Sequence, residues 1–314
     1  MKIVMPVGPS HRDDGAPYYI GGNLNYIPGV SCVRKTMLQP EAEWEDYDAV
    51  IECDWGQDSE IFAHLPRFHP NPKKPSVCWQ SDTHYNKIGW DYRMEEAAWY
   101  SAAAFAQKDA TDHFSSPSQP RRVKWLPHAA DHTIYTPPLK NYGVMLAGME
   151  PDPENFKPYI CDIVPQYDIC FVGHPSSEER NPILDKVFRA VPNFAWRSGV
   201  FFRHAARVFH QSKIVFNWAI KHEINMRTFE AMATRSFMVV DRQQGMEELG
   251  IRDGVQCAIA DTIDEAISKI HWYLDPKRES LRRKIADQGW RWYLNGHSYY
   301  HRARALLDLV GWKP

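Results

Sequence analysis

The stretch SKIVFNWAIKHEINMRTFEAMATRSFMVVD, from Ser212 to Asp241, reads as a buried strand, a polar loop, an amphipathic helix, a short polar turn and a second apolar strand. On the helix, Arg227 and Glu230 stand three positions apart and share one face, because side chains at i and i+3 are neighbours on a helix surface. Met226, Phe229 and Ala233 form a separate apolar stripe for packing. Charged residues at the start of a helix that follows a strand sit where open α/β sheets bind ligands, at the carboxyl ends of the strands. The first backbone N–H groups of such a helix lack partners and its dipole end is positive, so the position also attracts phosphate.

Working outward, strands alternate with helices on both sides of this unit, the pattern of α/β domains with parallel sheets. Lys2–Val7, Tyr47–Cys53, Ser76–Gln80 and Val123–Leu126 read as strands, and Glu95–Phe105 as a helix. Ser10–Gly29, with Gly15, Gly21, Gly22 and Asn23, reads as a polar loop after the first strand. Thr136–Gln166 is rich in Pro, Gly, Asp and Asn and makes the best interdomain linker. A second alternation comes after it: strand 168–172, helix 181–191, helix 203–211, strand 213–217, helix 225–235, strand 237–240, and helices over 263–274 and 277–294. The expected organisation is a Rossmann-like domain over 1–140, a linker over 141–166, a second Rossmann-like domain over 167–298 and a terminal segment over 299–314.

A chain of 314 residues suits two domains of about 150 residues better than one core. With 44% hydrophobic and 24% charged residues the composition is that of an ordinary globular protein. The net charge of −2 gives no global pull toward nucleic acid or anionic membrane, so modified DNA as a partner is open but not indicated. Six cysteines, Cys32, Cys53, Cys78, Cys161, Cys170 and Cys257, show no metal-ligand spacing and read as small buried hydrophobes in a reducing compartment. No apolar run is long enough to span a bilayer, and MKIVMPVG reads as a first strand rather than a signal peptide; the expectation is a cytoplasmic protein.

INMRTFEAMA (224–233), YLDPKRESLRRKIADQGWRWYLNGHSYYHRARALL (273–307) and YDICFVGHPSSEERNPIL (167–184) resemble the C-terminal half of GT-B glycosyltransferases. Among these the chain is similar to the CgeB-like (spore-maturation-type) group, related to glycosyltransferase group 1. The resemblance runs from Tyr167 to Leu307, and the N-terminal half shares it weakly. It implies two Rossmann-like domains facing each other across a cleft, with the last helix crossing back onto the first. It also implies transfer of a sugar from a nucleotide-diphosphate sugar to a hydroxyl acceptor, with retention of configuration and without a metal ion or other cofactor. The acceptor is open among glycan, glycoconjugate, protein and modified nucleobase.

Carried onto this sequence, the resemblance gives Glu230 the ribose hydroxyls, a task for which an acceptor-only carboxylate is suited. Arg227, with Lys221 as a second cation, would stabilise charge developing on the leaving diphosphate. Asn225 stands in the same loop, and its Asn-x-Arg spacing is typical of the CgeB-like branch. Where many group 1 enzymes carry a glutamate eight residues before the ribose-binding one, this chain has His222, with Glu223 adjacent. Gly173 ends the strand YDICFV and opens the loop through His174 and Ser176, where backbone can approach a phosphate closely. Asp82 and His84 come after a buried strand and are candidates for the acceptor base, or for a plain loop cap and a solvated histidine. Gly21, Gly22, Asn23 and His128 are acceptor-side candidates, although His128 with Asp131 equally fits a structural role at the domain crossover. No cluster of His, Cys, Asp or Glu has metal-ligand spacing. Two other readings stay open: a non-catalytic nucleotide-sugar-binding scaffold, and a sugar-nucleotide epimerase of similar architecture.

Overall fold

The computed structural model describes residues 1–7, 15–36, 46–53, 70–80, 97–115, 122–138, 163–174, 180–219 and 223–314. Asp82, His84, Ser176, Lys221 and most of the predicted linker lie outside them. The chain divides into two compact units, one made of Met1–His128 together with Tyr299–Pro314 and the other of Ala129–Ser298.

The first unit holds a sheet of β1 (Lys2–Val7), β2 (Ser31–Thr36), β3 (Ala49–Cys53), β4 (Ser76–Gln80), β5 (Ala102–Phe105) and β6 (Arg122–Trp125). Every pairing is parallel and the order is β2-β1-β3-β4-β5-β6. Strands in such a sheet are covered on both faces, so they read as unbroken apolar runs instead of alternating ones; β3, β4 and β5 are buried along their whole length. That explains one correction. The Ala-rich run ending at Phe105 reads as helix on propensity, yet Ala102–Phe105 is a central strand. Alanine favours helices weakly, and a strand buried on both faces leaves no period to contradict it.

A second correction concerns Ser10–Gly29. Ala16–Leu24 is a helix, α1, with Pro17 in its first turn, and α2 (Lys108–Phe114) comes after β5. Gly21, Gly22 and Asn23 therefore lie on α1 and not in a loop. Two adjacent glycines weaken a helix by about 1 kcal/mol each; packing overrides this, since Tyr19 is buried and stacks on the Tyr299 ring 4.9 Å away. A Cβ on Gly21 would stand 3.2 Å from Arg34 Cδ, so this glycine brings the helix close to β2.

The second unit has a five-stranded, all-parallel sheet in the order β11-β10-β9-β7-β8. Its strands are β7 (Tyr167–Val172), β8 (Phe194–Arg197), β9 (Ser212–Asn217), β10 (Met238–Asp241) and β11 (Ala258–Ala260). Its helices are α3 (Arg180–Ala190), α4 (Phe202–His210), α5 (Met226–Ala233), α6 (Ile263–Leu274) and α7 (Glu279–Leu294), the last preceded by a 3-10 turn at Pro276–Arg278. Ile169, Phe171, Leu184, Ile214, Phe216, Val239 and Ile270 centre its core. Thr262 caps α6 by accepting from the Glu265 amide at 3.2 Å, the start of a helix whose range matches the predicted 263–274.

The final helix, α8 (Tyr299–Leu309), belongs to the first unit. Buried Arg302 fastens it there, donating from Nε to the Pro127 carbonyl at 2.6 Å and from Nη2 to the His128 carbonyl at 3.1 Å.

Candidate functional site

In an open parallel sheet the ligand crevice opens where two neighbouring strands send their chains in opposite directions. In the second unit β7 leads to β8 on one side, while β9 lies on the other, so the crevice falls at the carboxyl ends of β7 and β9. Gly173 comes directly after β7, and Asn217 ends β9 and leads to α5. The topology thus brings together Gly173, Asn225, Arg227 and Glu230.

Arg227 is the centre of the arrangement. Its guanidinium carbon lies 5.0 Å from the centre of the Phe171 ring, and that of Arg180 lies 5.6 Å from the same ring. Two cations thus share one aromatic neighbour, each gaining from the ring's quadrupole. Burial pulls the Arg227 proton affinity below its ordinary value, Glu230 one turn on opposes that pull, and Arg180 adds to it. Arg227 Nη1 reaches Asn217 Oδ1 at 3.4 Å. Its Nε is sealed from solvent and meets no acceptor among the described residues. A buried donor left unmatched costs about 1–3 kcal/mol, a cost that an anion placed there would remove.

Gly173 contributes room. Its φ is not in the left-handed region, and its N–H is already given to the Arg197 carbonyl at 2.9 Å, so this amide is not free to cradle a phosphate. A Cβ at Gly173 would come within 2.9 Å of both Arg227 Nη2 and Phe171 Cζ. The missing side chain is what lets the guanidinium lie over the strand end. His174 is exposed, and its carbonyl accepts from Arg180 Nη1 at 3.4 Å.

Asn225 is the N-cap residue of α5, with extended backbone, but its side chain does not cap the helix. It faces Asn217 instead, whose Nδ2 donates to Asn225 Oδ1 at 3.0 Å. Glu230 is buried on α5. Sequence reasoning missed the residues beneath: Asn217, Thr228, Asp241 and Gln243 are all buried and joined by hydrogen bonds. The signal was available, since both Asn217 and Asp241 end an apolar strand with a polar side chain.

The described first-unit candidates, Gly21, Gly22, Asn23 and His128, are not brought to the corresponding place. By the same rule its crevice falls at the carboxyl ends of β1 and β3. The Met1 ammonium donates to the Gly29 carbonyl and the Ser31 amide to the Met1 carbonyl, so the chain leaving α1 arrives at the amino end of β1. Gly21, Gly22 and Asn23, late in α1, lie toward that opposite end. Asn23 Nδ2 donates to the Tyr19 carbonyl at 2.8 Å. His128 is buried edge-on to Trp79, and Asp131 Oδ1 accepts from the Thr133 amide and hydroxyl at 2.8 and 2.6 Å, a turn-forming role. Among the described residues no group of His, Cys, Asp and Glu could hold a metal ion, and no helix is long and apolar enough to cross a membrane.

Residues 163–308 match the family described as glycosyl transferase-like. No curated protein matches the chain in sequence. HepE of Anabaena, solved with UDP and glucose, is similar in structure at a TM-score of 0.64 and 12% identity, covering 97% of this chain and 98% of its own. A sucrose-phosphate synthase from Thermosynechococcus elongatus is similar at a TM-score of 0.61 and 9% identity, covering 98% of each chain. A UDP-GlcNAc 2-epimerase from Neisseria meningitidis reaches 0.55 at 11% identity, over 98% of this chain and 99% of its own. The fold is GT-B, two parallel-sheet Rossmann-like domains. The glycosyl transferase-like match takes in the second unit from residue 163 and runs on into α8.

Proposed function

We propose that the chain transfers a glycosyl group from a UDP-sugar to a hydroxyl acceptor, with retention of configuration and without a metal ion. The observation that carries this reading is the buried Arg227, which shares the Phe171 ring with Arg180 and holds one unmatched N–H at the β7/β9 crevice. Breaking a sugar–diphosphate bond leaves charge on the diphosphate, and preorganised cations stabilise it as it develops. Arg227 and Arg180 supply that charge, with Lys221 as a third cation. Glu230 takes the ribose hydroxyls. UDP is favoured among nucleotides because HepE was solved with it on the same fold. The Asn-x-Arg spacing at Asn225 and Arg227 supports placement in the CgeB-like branch. Asp82 or His84 meets the acceptor from the first unit.

The test is thermal stabilisation of the wild-type protein and of Arg227→Ala and Glu230→Ala by UDP and a panel of UDP-sugars. Ligand at a hundred times its dissociation constant stabilises by about 2.7 kcal/mol. A shift with UDP, lost in Arg227→Ala, is expected; folded wild-type protein that no nucleotide stabilises would overturn the reading. Incubation with UDP-GlcNAc and no acceptor adds a control, since epimerised sugar nucleotide would replace transfer by epimerisation.

A further inference from the structure

The polar residues beneath Arg227 form one directed chain. Asp241 Oδ1 accepts from the Ala219 amide at 2.9 Å and from Gln243 Nε2 at 3.0 Å. Gln243 Oε1 then accepts from the Thr228 hydroxyl at 3.1 Å, and Thr228 Oγ1 accepts from Asn217 Nδ2 at 3.1 Å. Asn217 Oδ1 is thereby left toward Arg227 Nη1 at 3.4 Å. The second Nδ2 hydrogen of Asn217 goes to Asn225 Oδ1 at 3.0 Å, and Asn225 Nδ2 returns to Asn217 Oδ1 at 3.4 Å.

The direction of this chain is fixed at one end. Asp241 Oδ1 accepts from the Ala219 amide, which can only donate, and Gln243 turns its NH2 to the same oxygen and its carbonyl to Thr228. The Thr228 hydroxyl must then donate to Gln243, which leaves its oxygen to accept from Asn217. Asn217 in turn must present its carbonyl, and not its NH2, to the guanidinium. Amides and hydroxyls can point either way when isolated; here one buried carboxyl oxygen selects a single orientation through three neutral side chains.

We propose that Asn217, Thr228, Gln243 and Asp241 are positioning residues that hold Arg227 for the donor diphosphate, with Asp241 setting the polarity of the whole chain. The inference rests on Arg227 holding that diphosphate. All four side chains are buried, span the ends of β9 and β10 and the first turn of α5, and act on the ligand only through Arg227.

Asp241→Asn tests it with almost no change in volume, because an amide can donate where the carboxylate could not and the chain can reverse. Thr228→Val, also near-isosteric, interrupts the chain at its middle and serves should the first variant fold poorly. UDP and uridine affinities are measured for each variant, alone and combined with Arg227→Ala, with melting temperature alongside. The expected result is about a tenfold loss for UDP, the scale of one hydrogen bond to a charged group. Uridine affinity should stay unchanged, and the loss should vanish in the Arg227→Ala background, the mark of a coupled pair. Equal losses for UDP and uridine, or the same loss with Arg227 already removed, would show that the four residues only support the fold. If Arg227→Ala alone binds UDP as well as wild type, the diphosphate reading fails and this inference falls with it.

Discussion

β1 and β7 occupy the same station in their sheets: each is the first strand of its unit and lies between the second and third. The helices that succeed them differ. After β1, helix α1 opens with Ala16, Pro17, Tyr18 and Tyr19, buries most of its length, and stacks Tyr19 on Tyr299. After β7, helix α3 opens with Arg180 and buries only Leu184 and Val187. The first unit uses this position for packing against its own terminal helix. The second leaves it lightly packed and places two guanidinium groups beside it. A shared topology therefore does not decide what the helix after the first strand does; local sequence buries α1 among apolar side chains and leaves α3 beside charge.

The sharpest way to break the comparison is Arg227→Ala, which should weaken UDP binding by about tenfold to a hundredfold, as loss of hydrogen bonds to a charged group does. Gly21→Ala on α1 should leave that affinity unchanged. Isothermal titration on both variants decides it, and equal losses would erase the distinction between the units. Next in size is a pair of helix glycines. A Cβ on Gly289 of α7 would stand 2.6 Å from the Gln256 backbone oxygen, whereas one on Gly21 would meet the flexible Arg34 side chain. Gly289→Ala should cost about 1–3 kcal/mol by overpacking. Gly21→Ala should be near neutral, because relieving a helical glycine gains up to about 1 kcal/mol against that crowding; denaturant melts of both variants test this.

A smaller effect concerns acid. His132 and His210, both in the second unit, have proton affinities pushed below the ordinary histidine value by burial, although Asp131 opposes this at His132 and the Thr136 carbonyl at His210. A group whose folded pKa is lowered binds more protons unfolded, so stability falls as pH drops through about 6.5 toward the folded value. Each histidine contributes at most about 1.4 kcal/mol per pH unit in that window. The opening free energy around α4, taken from hydrogen exchange after correction for the intrinsic pH dependence of the amide rate, should fall between about pH 7.5 and 5.5, and His210→Gln should flatten the response; identical pH profiles for the two proteins would refute it. The smallest effect is at Arg235, the residue after the C-cap of α5, with φ of 57°. Ser236 N reaches the Ala231 carbonyl and Arg235 N the Met232 carbonyl, each at 3.0 Å, the pattern glycine usually completes. Arg235→Gly removes the strain but also the half-exposed contact with Asp287, so its melting temperature should rise by no more than a few degrees.

Much of the second unit was legible because its helices are long and periodic; Ile263–Leu274 could be read to the residue. β5 and α1 were not, since four buried residues have no readable period and a helix with two glycines contradicts propensity. In the site, Arg227, Asn225, Glu230 and Gly173 were visible as a local pattern after a strand. The chain from Asn217 to Asp241 was not, because its members come from two strand ends, a helix and the second residue beyond β10. Only the sheet order makes them neighbours.

The return of Tyr299–Pro314 to the first unit has a consequence for synthesis. Domains generally fold in the order they leave the ribosome, but here the first unit lacks α8, and with it Arg302 and Tyr299, until the whole of the second unit has been made. The middle unit is complete as soon as Ser298 emerges. Its own ends meet, since Ala130 forms a parallel bridge with Ser298. The later-made unit can therefore mature first, and the earlier one must wait with part of its apolar surface uncovered, the interval in which a nascent chain most needs a chaperone.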